Sequence, residues 1–256
     1  MQQHLSTIDG VILSTMFVED FLFKNYKNII IENLFMDSFK VKAGCTPIEN
    51  LNDILIKIKK LTISNNSYSF IVDISNMRIE LHFKEIENIS IDKRLDNESK
   101  NYYSYHLKNV KHDIQNIKYP NNNEICCEVL REKSGNTIFS GIGSGFSNSI
   151  SLVECLVFFS QMGQLLAYNY DLINREDSET LWMKQVKAKI DIPYKYSGPI
   201  LATGKIVNCK LLKLGTDYWR TFEMDGGTAD DYIHFSGKIA HKLPQARKEL
   251  ILNEQK

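Results

Sequence analysis

The chain has 256 residues, 43% hydrophobic and 24% charged, with 31 basic and 31 acidic side chains and a formal net charge of zero. That length and composition suit one large or two small globular domains with a sizeable core. The charge balance argues against a general nucleic-acid or membrane-surface role, since both need a basic excess.

The first residues, MQQHLSTIDGVILSTMFVEDF, have no basic leader and include Asp9, Glu19 and Asp20, so they do not read as a signal peptide. Within 6–26, Ile8, Val11, Ile12, Met16, Phe17 and Leu22 recur at helical spacing, and Ser6 or Thr7 can cap the start. This predicts a helix. Strands are expected over 28–44 and 54–63. A turn at Asn65-Asn66-Ser67 leads to Tyr68, Phe70, Val72 and Ile74 on one face. Asn76 turns again into a strand carrying Ile79, Leu81 and Phe83. Residues 87–120 are charged and polar and end at Pro120, which predicts a connector, partly helical.

The second half repeats this order. A hairpin around Ser134-Gly135-Asn136 precedes a helix over 149–170 that is apolar on nearly every side, so it belongs inside the protein. Strands follow at 186–192, 200–214, 218–224 and 232–241, with a turn at Asp225-Gly226-Gly227. The helix is too short and too polar to span a bilayer, and the chain is placed in the cytoplasm. The two halves overlay: Ser6–Asp9 on Ser151–Glu154, Tyr68 on Tyr218, and Leu81-His82-Phe83 on Ile233-His234-Phe235. An apolar helix followed by a strand meander is buried when the sheet curls around it, the hot-dog arrangement. The expected fold is therefore α+β, a double hot-dog with two antiparallel sheets, each wrapped around a central helix. The first unit is assigned 1–86, the connector 87–120 and the second unit 121–256. The first unit is expected to be N-terminally incomplete, because no hairpin precedes its helix.

His4-Leu5-Ser6-Thr7-Ile8-Asp9, Ser151-Leu152-Val153-Glu154 with Gln161-Met162-Gly163-Gln164, and Ser178-Glu179-Thr180-Leu181-Trp182-Met183 resemble the AvrD (avirulence protein D) family. The family is similar in arrangement to the A-factor biosynthesis proteins, which pair hot-dog units. The resemblance implies acyl-chain chemistry: a β-ketoacyl thioester joined to a small sugar or ketose, as in syringolide-like acyl glycosides or butenolides. The partners so implied are acyl-CoA or an acyl-carrier protein and a small sugar acceptor. No cofactor, metal, nucleic acid or membrane is expected, and a homodimer is one assembly open to the chain. The competing functions are a hot-dog thioesterase or dehydratase and a non-catalytic acyl-ligand binding protein.

Asp9 and Glu154 occupy matching first turns, where a carboxylate complements the helix dipole. An acid on a buried helix could instead have its pKa raised by burial and serve as general base on the acidic carbon of a β-ketoacyl thioester. His4 lies close to Asp9 and either pairs with a carboxylate or is simply solvated. Helix starts offer free N–H groups, so Ser6, Ser147, Asn148, Ser149 and Ser151 are candidates to hold the thioester carbonyl. The glycine-rich 143–149 segment matches no nucleotide-loop spacing and otherwise reads as a capped turn. The catalytic candidates are thus Asp9, Glu154 and His4. No Ser-His-Asp or Cys-His signature is visible along the chain, which weighs against covalent catalysis.

The five cysteines, Cys45, Cys126, Cys127, Cys155 and Cys209, are odd in number and lack C-x-x-C spacing. Thiol titration of purified protein in denaturant without reductant should count all five; a lower count would reveal a disulfide.

Overall fold

The computed structural model describes residues 4–86, 99–178 and 181–244. The most polar part of the expected connector, through Glu98, lies outside the described residues, as do Glu179 and Thr180 of the third motif. The α-helices are α1 (Thr7–Asn25), the single turn α2 (Tyr102–Tyr105) and α3 (Leu152–Asp171). The long helices begin alike. Asp9 N–H donates to Ser6 Oγ at 3.1 Å and Ser6 N–H to Asp9 Oδ2 at 3.0 Å. Glu154 N–H donates to Ser151 Oγ at 3.1 Å and Ser151 N–H to Glu154 Oε1 at 3.2 Å. Each is a capping box that satisfies two otherwise orphan donors.

The strands are β1 (Leu34–Lys42), β2 (Ile56–Ser64), β3 (Ser67–Ile74), β4 (Met77–Glu85), β5 (Lys100–Asn101), β6 (Val110–Lys118), β7 (Glu124–Lys133), β8 (Phe139–Ser140), β9 (Leu181–Ile190), β10 (Ile200–Leu214), β11 (Asp217–Thr228) and β12 (Ile233–Lys242). Ten of them form one antiparallel sheet in the order β2-β3-β4-β1-β9-β12-β11-β10-β7-β6. Read outward from the centre, β1-β4-β3-β2 mirrors β9-β12-β11-β10, so the internal repeat is visible in topology. The expectation of two sheets is corrected at one place. β1 and β9 pair from Ser38↔Lys189 to Lys42↔Gln185, fusing both halves into a single sheet. This removes two edges that would otherwise expose unpaired backbone.

Period-two alternation fixes the inner face. Tyr68, Phe70, Val72 and Ile74 of β3 and Met77, Ile79, Leu81 and Phe83 of β4 are buried, while His82 and His234 point outward and are exposed. α1 packs over β2–β4, and α3 packs over β1, β7 and β9–β11. α3 is the more deeply buried of the two, as its apolar circumference requires. Among the described residues, no helix is long and apolar enough to cross a membrane.

Three further expectations change. The hairpin at 134–136 does not form: β7 pairs with β6 and β10, and the short β8 runs parallel to β5. The edge strand β6 lies within the stretch read as a connector. Its alternation is carried by only Val110, His112 and Ile114, too few apolar residues to stand out. Finally, Asp225-Gly226-Gly227 is not a turn but part of β11. A side chain on Gly226 would meet the carbonyl of Thr203 at 2.7 Å, so glycine is needed for strand contact rather than for bending.

Phe39 of β1 is 2% exposed, pairs with Ala188 across the seam and meets Phe235 edge-on at 6.3 Å. Phe39→Ala should therefore destabilise both halves together, by about 3–5 kcal/mol. Urea unfolding should show one shifted transition; an unchanged midpoint would contradict the seam's role.

Candidate active site

Three clusters of polar or cavity-lining residues meet the inner face of the sheet, and they differ in what they can do. The first surrounds the start of α3. Glu154 is fully buried, and Arg131 of β7 reaches it with two bonds: Nε donates to Oε2 at 2.7 Å and Nη2 to Oε1 at 3.2 Å. His112 of β6 brings Nε2 within 3.4 Å of Oε2, close enough for an ion pair but without hydrogen-bond alignment. Burial pushes the Glu154 carboxyl up, but His112 and Arg131 outweigh it and bring the pKa down to about 2. The expectation that burial would raise this acid into the general-base range is thereby corrected. The paired guanidinium, invisible in the sequence because Arg131 lies 23 residues upstream, decides the sign.

The loop before α3 is also committed internally. Ser147, Ser149 and Ile150 donate their N–H groups to Ser144, Phe146 and Tyr194 carbonyls, and Ser151 donates to Glu154. Lys133 Nζ binds the Ser147 carbonyl at 3.1 Å and Asn148 Oδ1 at 3.0 Å. The N–H groups of Ser147, Ser149 and Ser151, expected to hold a substrate carbonyl, are thus already used. Ser151 Oγ lies 3.0 Å from His106 Nε2, and the other ring nitrogen faces the Tyr102 carbonyl at 2.9 Å. A carbonyl only accepts, so Nδ1 carries the proton and Nε2 accepts from Ser151. Burial holds the His106 ring below its ordinary pKa. The cluster is a polar plug that fixes β6, β7, α2 and α3 to one another.

The second cluster is a groove of about 500 Å³ at the start of α1, lined by His4, Ser6, Thr7, Asn76, Trp182 and Trp219 among others. The Thr7 and Ile8 N–H groups have no intrahelical partner by position. Asp9 is exposed, its Oδ2 held by Ser6 Oγ at 2.6 Å. Asp9 and Glu154 therefore have separate partners, and the structure does not pair them. Leu181 and Met183 of β9 line this groove and also a cavity of about 150 Å³ between α3 and the sheet. Phe159, Met162, Gly163 and Leu166 form the helix side of that cavity, and Val186, Met224, Phe235 and Ile239 form the sheet side. A Cβ on Gly163 would meet only Met224 Sδ at 3.6 Å, so this glycine leaves free volume. The space is apolar, enclosed by both layers and continuous in its lining with the groove, where His4, Ser6, Thr7 and Asn76 add polar groups, which suits a ligand with a greasy tail and a polar head.

The third cluster lies at the other end of α3. Asp171 and His241 are buried, with Asp171 Oδ1 bound by Arg220 Nε at 2.9 Å. Sequence reading singled out none of Arg131, His106, His112, Asp171, Arg220 and His241. They come from separate elements, and no local spacing announces them.

Glu154→Gln should leave Arg131 buried without its counter-charge and cost about 3–5 kcal/mol. The pH dependence has a definite sign. The folded Glu154 pKa is depressed, so its contribution is complete above the unfolded value near 4.5 and is lost as pH falls toward about 2. Stability of Glu154→Gln measured across this window should fall less steeply than that of the wild type; parallel curves would refute the ion pair.

The tesB protein of Mycobacterium avium subspecies paratuberculosis superposes with a TM-score of 0.53 at 7% identity, over 94% of this chain and 88% of that one. The acyl-CoA thioesterase II of Mycobacterium marinum gives 0.49 at 8% identity, over 93% and 90%. A protein with a hot-dog fold from Alicyclobacillus acidocaldarius gives 0.46 at 6%, over 89% and 86%. No curated protein matches the chain in sequence. The model of the Pseudomonas avirulence D protein (AvrD) family matches residues 1–244, nearly the whole length, and the chain belongs to that family.

Proposed function

We propose that this protein is an acyl-thioester enzyme of two hot-dog units that transfers a β-ketoacyl group to a small sugar or ketose. The observation that carries the reading is the apolar cavity beneath α3 meeting, at Leu181 and Met183, a groove that also holds polar groups. An apolar cavity of about 150 Å³ accommodates a ligand the size of benzene, so the acyl tail is one of about six carbons. The thioester carbonyl then belongs at the junction, with the free N–H groups of α1's first turn supplying the oxyanion donors. His4 lines the groove, which holds the acceptor and the carrier's polar end, while Asp9 stays bound in the α1 cap. In this reading Glu154 shapes the site without titrating.

The test is incubation with β-ketohexanoyl thioesters, as CoA and carrier-protein forms, with and without ketose acceptors, followed by mass spectrometry. The expected product is an acyl–ketose adduct that needs the acceptor. Free acid formed equally without an acceptor would make the protein a hydrolase, and unchanged thioester would make it a binding protein. Gly163→Leu should fill the cavity and lower turnover of the six-carbon substrate about tenfold or more while sparing acetoacetyl thioesters. Equal loss on both chain lengths would place the tail elsewhere.

A further inference from the structure

We infer that Ser178 is a covalent nucleophile, activated by His241 and Asp171, so that acyl transfer passes through an acyl-serine. Ser178 Oγ lies 3.0 Å from His241 Nε2, and His241 Nδ1 lies 3.4 Å from Asp171 Oδ2. This is the order a serine relay needs: hydroxyl, distal imidazole nitrogen, proximal nitrogen, carboxylate. The tautomer follows from the partners. A carboxylate only accepts, so Nδ1–H donates to Asp171 and Nε2 is free to take the serine proton. The 3.4 Å separation is long, as catalytic bonds in unliganded sites often are. Arg220 occupies the other oxygen, Oδ1, at 2.9 Å and so orients the carboxylate toward the ring. His241 is fully buried, whereas Ser178 is half-buried, so the relay is shielded and its hydroxyl lies nearest solvent.

Among the described residues two other serines contact a histidine: Ser69 with His82 Nδ1 at 2.8 Å, on the exposed outer face, and Ser151 with His106, which sharpens the assignment. Ser151 also bonds a histidine, but His106 Nδ1 faces a carbonyl, and the Ser151 oxygen already accepts the Glu154 N–H. No carboxylate stands behind that ring. Position supports Ser178 as well. His241 is opposite Leu181 in the β12–β9 ladder, and Leu181 lines both the groove and the cavity. Ile239, two residues before His241 on the same strand, is part of the cavity wall.

The chemistry balances without a co-reactant beyond those already named. Ser178 Oγ attacks the thioester carbonyl carbon and passes its proton to His241 Nε2. The C–S bond breaks, and the departing thiolate takes that proton, leaving an ester on Ser178. An acceptor hydroxyl then gives its proton to His241 and attacks the ester carbonyl. The Ser178 O–C bond breaks, and the proton returns to Ser178 Oγ. The transfer role rests on the acyl-thioester reading, but the nucleophile itself can be tested without any thioester.

The probe is an alkyl fluorophosphonate, with intact-mass and peptide mass spectrometry as readout. One adduct is expected, on Ser178, absent in Ser178→Ala with its melting temperature unchanged. His241→Gln should slow labelling about a hundredfold. Because His241 is buried and that variant could unfold, labelling of the folded wild type is also compared with that of the denatured chain, which should not react at Ser178. No adduct, an adduct on another serine, or equal labelling of the denatured chain would overturn the proposal. Ser178→Ala should also lose β-ketoacyl transfer about a hundredfold or more. Labelling at Ser178 with transfer intact in Ser178→Ala would overturn its role in transfer and leave the acyl-thioester reading standing. Labelling at Ser178 with no thioester turned over by the wild type would support the nucleophile and overturn that reading instead.

Discussion

The five residue pairs between β1 and β9 are the constraint on which the remaining architecture depends. Each half alone would leave its β1-equivalent strand with a row of unpaired N–H and C=O groups. Joined, the halves share one hydrogen-bonded surface, and the two long helices lie over it in mirrored positions. The seam also brings Phe39 against Phe235, and thus the cores of both halves into contact. A second tie runs from the middle of α1. Glu19 accepts from Asn101 at 2.7 Å and from the Ile142 N–H at 2.8 Å, and burial raises its carboxyl above the ordinary range. The groove that opens beside α1 borrows Trp182 and Trp219 from the second half, so it exists only because the halves are fused.

Much of the fold was legible because its signals are local. Helical spacing, S-x-x-D and S-x-x-E caps and period-two strands each need only a few neighbouring residues to be recognised. The helix boundaries therefore fell within a few residues of α1 and α3. The overlay of Leu81-His82-Phe83 on Ile233-His234-Phe235 placed β4 and β12 in equivalent positions. What stayed hidden was either weakly patterned or long-range. β6 offers three alternating residues on a polar edge, and so His112 was missed with it. Closer reading of Val110, His112 and Ile114 as one face would have found both. Glycines at 226 and 227 suggested a turn because their usual role is bending, whereas here they allow close backbone contact. Ser178 and His241 are 63 residues apart, and Asp171 and His241 are 70 apart, so no motif could have announced them.

The buried polar groups show how one chemical inventory serves two ends. Around Glu154, the Arg131 guanidinium and the Ser151 N–H both bind the carboxylate, which is pinned in place. Such a network rigidifies but cannot accept a proton readily. Around Asp171, the guanidinium takes one carboxylate oxygen and leaves the other for a histidine whose far nitrogen meets a hydroxyl. The difference between a plug and a relay lies in which partner the second oxygen finds. It is not evident in the residue types, since each site holds an acid, an arginine, a histidine and a serine.

The seam has a consequence for how the chain comes into being. Val41 must find Val186, about 145 residues later in synthesis. At roughly 5–20 residues per second, the β1 edge waits about 7–30 s on the ribosome before its partner has even been made. During that interval the first half presents an unpaired strand carrying Phe35, Phe39 and Val41 to every other nascent copy on the same message. The pairing that unifies the finished molecule is thus also the step at which neighbouring chains on a polysome could exchange halves.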